Sequence, residues 1–228
     1  MTLLSICQDA AQEIGFDKPT YIFGNTSLEV IKLLRYAQKV GKRCMKVVKW
    51  QQLTKENTFS ALAQETQTGI LPSDFDRFIP DTMYNRTNKT EIKQVKPIEW
   101  QQYKAIDYND TLKRKFLYIG NAIMVTPNLE AGDIIAFNYI NKNFVLSSLA
   151  AEQDSFAADT DTSVIDEELI KLGVIYEYLQ GDGLPYQVAM GTYEARLRLL
   201  IDNELPDIDI LSAGDIFETS SFNFTNGV

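Results

Sequence analysis

Apolar residues recur at helical spacing at the start of the chain. Leu3, Leu4, Cys7, Ala11 and Ile14 predict a helix over about 2–14, and Gly15 is placed to end it. A second helix follows. Thr26-Ser27-Leu28-Glu29 reads as a capping box, in which hydroxyl and carboxylate satisfy free amides. The helix it opens runs to about Val48, with an apolar stripe of Leu28, Ile31, Leu34, Ala37, Gly41, Cys44 and Val48. Its opposite face is basic: Lys32, Arg35, Lys39, Lys42, Arg43, Lys46 and Lys49.

After Trp50 the period changes from helical to alternating. Residues 53–59 alternate, residues 70–80 are proline-bounded and loop-rich, and residues 98–104 read as a short helix behind Pro97. Two β-rich runs, 116–119 and 122–125, flank Gly120-Asn121, the signature of a two-residue hairpin. Ala131-Gly132-Asp133 then turns the chain into a further strand over 134–140. Together these strands predict a small antiparallel sheet.

Helical spacing returns at Ser163. Asp166, Glu167 and Glu168 give an acidic first turn that suits the helix dipole. Leu169, Leu172, Ile175, Tyr176 and Leu179 form the stripe, and Gly181-Asp182-Gly183 ends it. Pro185 opens a last helix carrying Ala189, Tyr193, Leu197 and Leu200. From Leu205 to Val228 the chain is acidic and aperiodic, yet holds Ile208, Ile210, Leu211, Ile216, Phe217, Phe222 and Phe224. The pattern therefore predicts an α+β chain: a bundle of about four helices, a β-rich insertion and an extended C-terminal tail. The boundaries fall at 1–50, 51–147, 148–204 and 205–228.

Composition narrows the chemistry. A hydrophobic fraction of 45% and a charged fraction of 23% are those of an ordinary globular protein. No apolar run approaches the roughly 18 residues that span a bilayer. The first nine residues turn polar at once and lack a basic stretch, so no signal peptide is expected. Cys7 and Cys44 both fall in predicted helices and are expected as small buried thiols, not a disulfide. The chain has no histidine, which removes the commonest general base, metal ligand and partner of Ser or Cys nucleophiles. Phosphate-loop, dinucleotide, nucleophile-elbow and paired-cysteine motifs are lacking. Charge is lopsided: residues 1–147 hold 19 Lys/Arg against 15 Asp/Glu, and residues 148–228 hold 3 against 16. An acidic C-terminal third is unsuited to gripping phosphates and suited to a basic partner.

Five segments stand out: Ile6-Cys7-Gln8-Asp9-Ala10 through Glu13-Ile14-Gly15, and Trp50-Gln51-Gln52-Leu53-Thr54-Lys55-Glu56 after a long helix. The others are Leu71 to Thr82, Ala131-Gly132-Asp133 before Phe137-Asn138-Tyr139-Ile140, and Ala158 to Thr162 before Asp166-Glu167-Glu168-Leu169. In these segments the chain resembles head-to-tail adaptor (connector) proteins of short-tailed bacteriophages. The resemblance covers about residues 1–200 and carries no catalytic motif. It implies a structural virion protein of the tail and neck, assembled in the host cytoplasm. It implies a homo-oligomer, a twelve-fold ring docked on the portal protein, that presents the tail nozzle or fibre proteins. DNA would pass through the lumen during ejection without specific binding. No cofactor, metal, catalytic residue or membrane contact is expected.

On that resemblance, two oppositely charged zones are expected to meet between subunits: Lys39, Lys42 and Lys46 on one side, Asp166 and Glu167 on the other. The apolar anchors of the tail, Ile216, Phe217, Phe222 and Phe224, are expected to bind the portal. Two alternatives belong to other classes. One is a cell-wall glycan hydrolase of the phage tail acting through paired carboxylates such as Glu167 and Glu168, although adjacent helical residues diverge by about 100°. The other is a nucleic-acid-binding module using the basic face between Lys32 and Lys49.

Overall fold

The computed structural model describes residues 1–204. The tail 205–228, with Ile216, Phe217, Phe222 and Phe224, lies outside the described residues. The chain begins with two helices, α1 (Leu3–Ile14) and α2 (Leu28–Val47). A run of short strands follows: β1 (Thr54–Ser60), β2 (Thr66–Gln67), β3 (Phe75–Phe78), β4 (Tyr84–Asn85), β5 (Thr90–Glu91) and β6 (Lys93–Gln94). Helix α3 (Pro97–Ala105) precedes β7 (Lys115–Ile119), β8 (Ala122–Thr126) and β9 (Ile134–Asn141). Three two-residue strands, β10 (Val145–Leu146), β11 (Glu152–Gln153) and β12 (Thr162–Ser163), lead into α4 (Glu167–Gly181) and α5 (Gln187–Glu204).

Local chemistry explains most element ends. Thr2 caps α1 through its hydroxyl, which accepts from the Ser5 amide at 3.3 Å. Gly15, at φ 100°, turns the chain out of the helix and donates back to the Ala11 and Gln12 carbonyls. Gly120 and Asn121 have φ of 58° and 62°, the paired positive values that a tight hairpin between β7 and β8 needs. Asp166 caps α4, its carboxylate accepting from the Leu169 amide at 2.7 Å. At α2 the expected capping box is corrected. Ser27 stands at the cap, and its hydroxyl donates to the Glu29 carboxylate instead of accepting from a backbone amide.

The expected stripe of α2 is corrected too. Its buried residues are Val30, Leu33, Ala37, Val40, Gly41, Cys44 and Met45. Leu28 and Ile31 face outward, 63% and 48% exposed. The expected stripe is right at Ala37, Gly41, Cys44 and Val48, which are buried in either frame, so helical spacing alone does not separate the two.

A four-helix bundle with an inserted β region is not the architecture found. The described residues form a mixed α/β fold of five helices and three sheets. One sheet runs β1-β9-β4-β5, with β3 also on β9; a second runs β2-β8-β7-β6, with β6 parallel to β7; a third runs β11-β10-β12. The single small antiparallel sheet expected from the strand pattern is therefore three. Helices α1, α2, α4 and α5 do share a core, but Trp50, Leu53, Ile140, Phe144, Val145 and Phe156 enter it from strands, loops and a single 3-10 turn at Gln51–Leu53. Side chains from outside the helices take space that a closed bundle would fill with its own. The fifth helix, α3, packs Trp100 with Val95 and Leu117 on the second sheet.

Strand β9 joins the two halves. Ile135, Phe137 and Tyr139 face an aromatic-rich core with Met83, Ile92, Phe116 and Ile123, while Ile140 enters the helical core. Asp159 ties the loop before α2 to the far end of the chain. Its carboxylate accepts from the Ile22 amide at 3.1 Å and the Phe23 amide at 2.9 Å.

Candidate functional site

The charged zones expected to join subunits are largely engaged within the chain. Lys39 Nζ reaches Glu177 Oε2 at 2.6 Å, and Arg43 Nη1 reaches Glu177 Oε1 at 2.6 Å. Glu177 is buried, with 3% of its surface exposed, so one carboxylate of α4 takes two cations of α2. The Arg43 guanidinium lies over the rings of Tyr176 and Tyr193 at 5.8 and 5.3 Å. Asp166 accepts from Arg196 Nη2 at 2.7 Å besides capping α4, and Glu167 pairs with the amino group of Met1. Glu168 pairs with Lys171 at 2.9 Å. Lys42 and Lys46 remain exposed, without a hydrogen bond or ion pair among the described residues. No hydrogen bond or ion pair joins the Lys39–Lys46 zone to Asp166 or Glu167 among those residues. The basic face of α2 is also reduced at Lys32, which pairs with Asp182.

Glu177 escaped the sequence reading, although a signal existed. A single carboxylate between Tyr176 and Tyr178, in a helix otherwise apolar on that side, marks a buried charge that needs a cation. Its partners, Lys39 and Arg43, sit one helical turn apart on α2.

A second polar network ties β1, β9 and the third sheet together. Lys55 Nζ reaches Asp74 Oδ2 at 3.0 Å and also pairs with Glu152. The Tyr139 hydroxyl donates to Asp74 Oδ1 at 3.0 Å, and Asn141 Nδ2 donates to Glu152 at 2.7 Å. Burial pushes the Asp74 carboxyl up, but hydrogen bonds from Lys55 and Tyr139 outweigh it and hold the group below its ordinary value. The Tyr139 hydroxyl is pushed up to about 12, by burial first and then by the Asp74 carboxylate. Every member has a partner, and the network ties the sheets together as a clasp.

Both cysteines are free and buried. Burial pushes Cys7 up to about 12 and Cys44 up to about 11, so neither is a thiolate nucleophile at neutral pH. No group of three His, Cys, Asp or Glu side chains is placed to hold a metal among the described residues. None of the described helices is long and apolar enough to cross a membrane.

Two surface features stand apart from these engaged groups. One is the outward face of α5. Tyr193 and Leu197 point into the core, whereas Val188, Gly191, Thr192, Ala195 and Leu199 line the opposite side, Val188 at 85% and Leu199 at 50% exposure. The other is a groove of about 310 Å³ beside β6 and β7, lined by Glu91, Lys93, Leu112, Lys113, Arg114 and Lys115. No protein-family model matches the chain, and no curated protein matches it in sequence.

Proposed function

We propose that the chain is a structural virion protein of the head-to-tail adaptor kind. In this reading it works by assembly, as a ring that joins the portal to the tail and conducts DNA during ejection, and not by catalysis. The resemblance of the segments named above supplies the ring, the portal, the nozzle or fibre contacts and the subunit number. The observation that supports self-association is the outward face of α5. A helix whose second face shows Val188, Ala195 and Leu199 to water leaves apolar area that a neighbour can bury.

The outward face of α2 complements it. That face begins with Leu28 and Ile31 and continues with Arg35, Lys42 and Lys46, whereas the α5 face runs from Val188 to Leu199 and on to Asp202. Head-to-tail contact of two such faces pairs apolar with apolar and base with acid. Because the faces differ, the interface is heterologous, the kind that closes a ring. Lys42 and Lys46 keep the role expected of them, and the acid they meet moves from Asp166 and Glu167 to α5.

Native mass spectrometry of the full chain tests the reading. A closed oligomer of uniform subunit number is expected, and Val188→Glu with Leu199→Glu is expected to return it to monomer. A wild-type chain that stays monomeric at high micromolar concentration overturns the proposal.

A further inference from the structure

Arg114 is 3% exposed, yet it has no carboxylate partner among the described residues. Its Nη1 donates to the Thr111 carbonyl at 3.0 Å, and its Nε is buried without an acceptor. A buried guanidinium normally sits opposite an anion, because its five donors and fixed charge cannot be neutralised by losing a proton. Arg114 lines the groove beside β6 and β7, and three further cations line it with Arg114: Lys93, Lys113 and Lys115. Backbone pairing sets this up. The parallel register of β6 on β7 places Lys93 opposite Lys115, and the Lys93 amide donates to the Arg114 carbonyl at 3.1 Å. One carboxylate, Glu91, also lines the groove and stands 3.5 Å from Lys93. Four cations against one acid leave a strong positive excess in a chain whose net charge is −9.

We infer that this groove is a binding site for a phosphate group. The guanidinium fork suits two oxygens of one oxyanion, and the surrounding ammonium groups suit more charge than a single carboxylate carries. The phosphate is either free or part of a nucleic-acid backbone, and both present the same oxygens to the groove. All the lining residues come from one chain, so the groove is complete without ring assembly.

Calorimetric titration of the full chain with inorganic phosphate, and fluorescence anisotropy of a labelled DNA duplex over a salt series, test the site. The rim variant Lys93→Ala with Lys113→Ala alters only exposed side chains and keeps the fold. It is expected to weaken inorganic phosphate by about tenfold, the loss expected from removing charge-assisted hydrogen bonds. If the source is a nucleic-acid backbone, the duplex binds as well, and the same variant lowers the log–log salt slope by about 2. If the source is free phosphate, the duplex does not bind and inorganic phosphate does. Arg114→Lys, which keeps the charge and removes the fork, is expected to weaken whichever probe binds. Lys42→Ala with Lys46→Ala, on α2, is expected to leave that binding unchanged. The inference is overturned if neither probe binds, if the α2 variant loses as much as the rim variant, or if an acidic peptide without phosphate displaces inorganic phosphate at equal concentration.

Discussion

The helical and β halves of the molecule are held by different means. The helical half gathers both ends of the described chain around one core, and its buried carboxylates are clasped: Glu177 between Lys39 and Arg43, Asp161 under the Ala157 and Ala158 amides. The β half stacks aromatic rings, with Phe78 in contact with Phe75, Phe116, Tyr118 and Phe137, and it leaves Arg114 buried without a counter-ion among the described residues. Arg43 in the helical half also has buried guanidinium nitrogens without acceptors, but the Glu177 carboxylate is its counter-ion. A half that holds an uncompensated cation beside a groove reads as a place where something else docks. The two tryptophans report the halves separately, Trp50 in the helical core and Trp100 on α3 against Val95 and Leu117 of the β half.

Phe144 offers the largest test of that division. It is fully buried in the helical core, where it meets Phe156 at 5.8 Å. Phe144→Ala is expected to cost about 3–5 kcal/mol of stability, as for other buried phenylalanines. In urea melts of single-tryptophan variants, the Trp50 signal should shift further than the Trp100 signal. Equal shifts would mean that β9 binds both cores into one unit. Next comes Gly41→Ala. A Cβ on Gly41 would stand 2.2 Å from Phe144 Cε2, so overpacking should cost about 1–3 kcal/mol. Phe144→Leu in the same chain should recover part of that loss, a coupling that a double-mutant cycle measures directly. Without recovery, the close approach of α2 to Phe144 is not what limits position 41.

Glu177→Gln removes the charge that holds Lys39 and Arg43 and should cost about 1–3 kcal/mol by denaturant melt. The figure stays below that of a fully buried pair because Lys39 is 58% exposed. The β half has its own, smaller counterpart in Asp74. Since its carboxyl is held below the ordinary value, its contribution is complete above that value and disappears as pH falls through the lowered one. Asp74→Asn should therefore cost about 1 kcal/mol at neutral pH, and wild type and variant should draw together only as pH falls below the ordinary aspartate value and through the lowered one. Divergence on acidification would show that the clasp does not stabilise the sheet. The smallest effect is expected at Arg86, whose pair with Glu56 is half-exposed on both sides. Arg86→Ala should change the midpoint by less than about 0.5 kcal/mol.

The elements legible in the sequence were those decided by neighbours along the chain. Gly15 ends α1, Pro97 opens α3, Gly120-Asn121 makes the hairpin, and the acidic turn at Asp166 starts α4, each through bonds spanning a few residues. What the tertiary structure alone decided came from partners far apart. Lys39 and Glu177 lie 138 residues apart, and Asp159 reaches across 137 residues to Ile22. The inward face of α2 was settled by distant segments: Val40 packs close against Gly173 of α4, and Leu28 and Ile31 are left in water. The run Lys113-Arg114-Lys115 is plainly basic on paper, but which of the three is buried depends on β6 closing beside β7. Local order is written in backbone dihedrals and helical spacing. The fate of a charge depends on whether distant segments bring it a partner or a void.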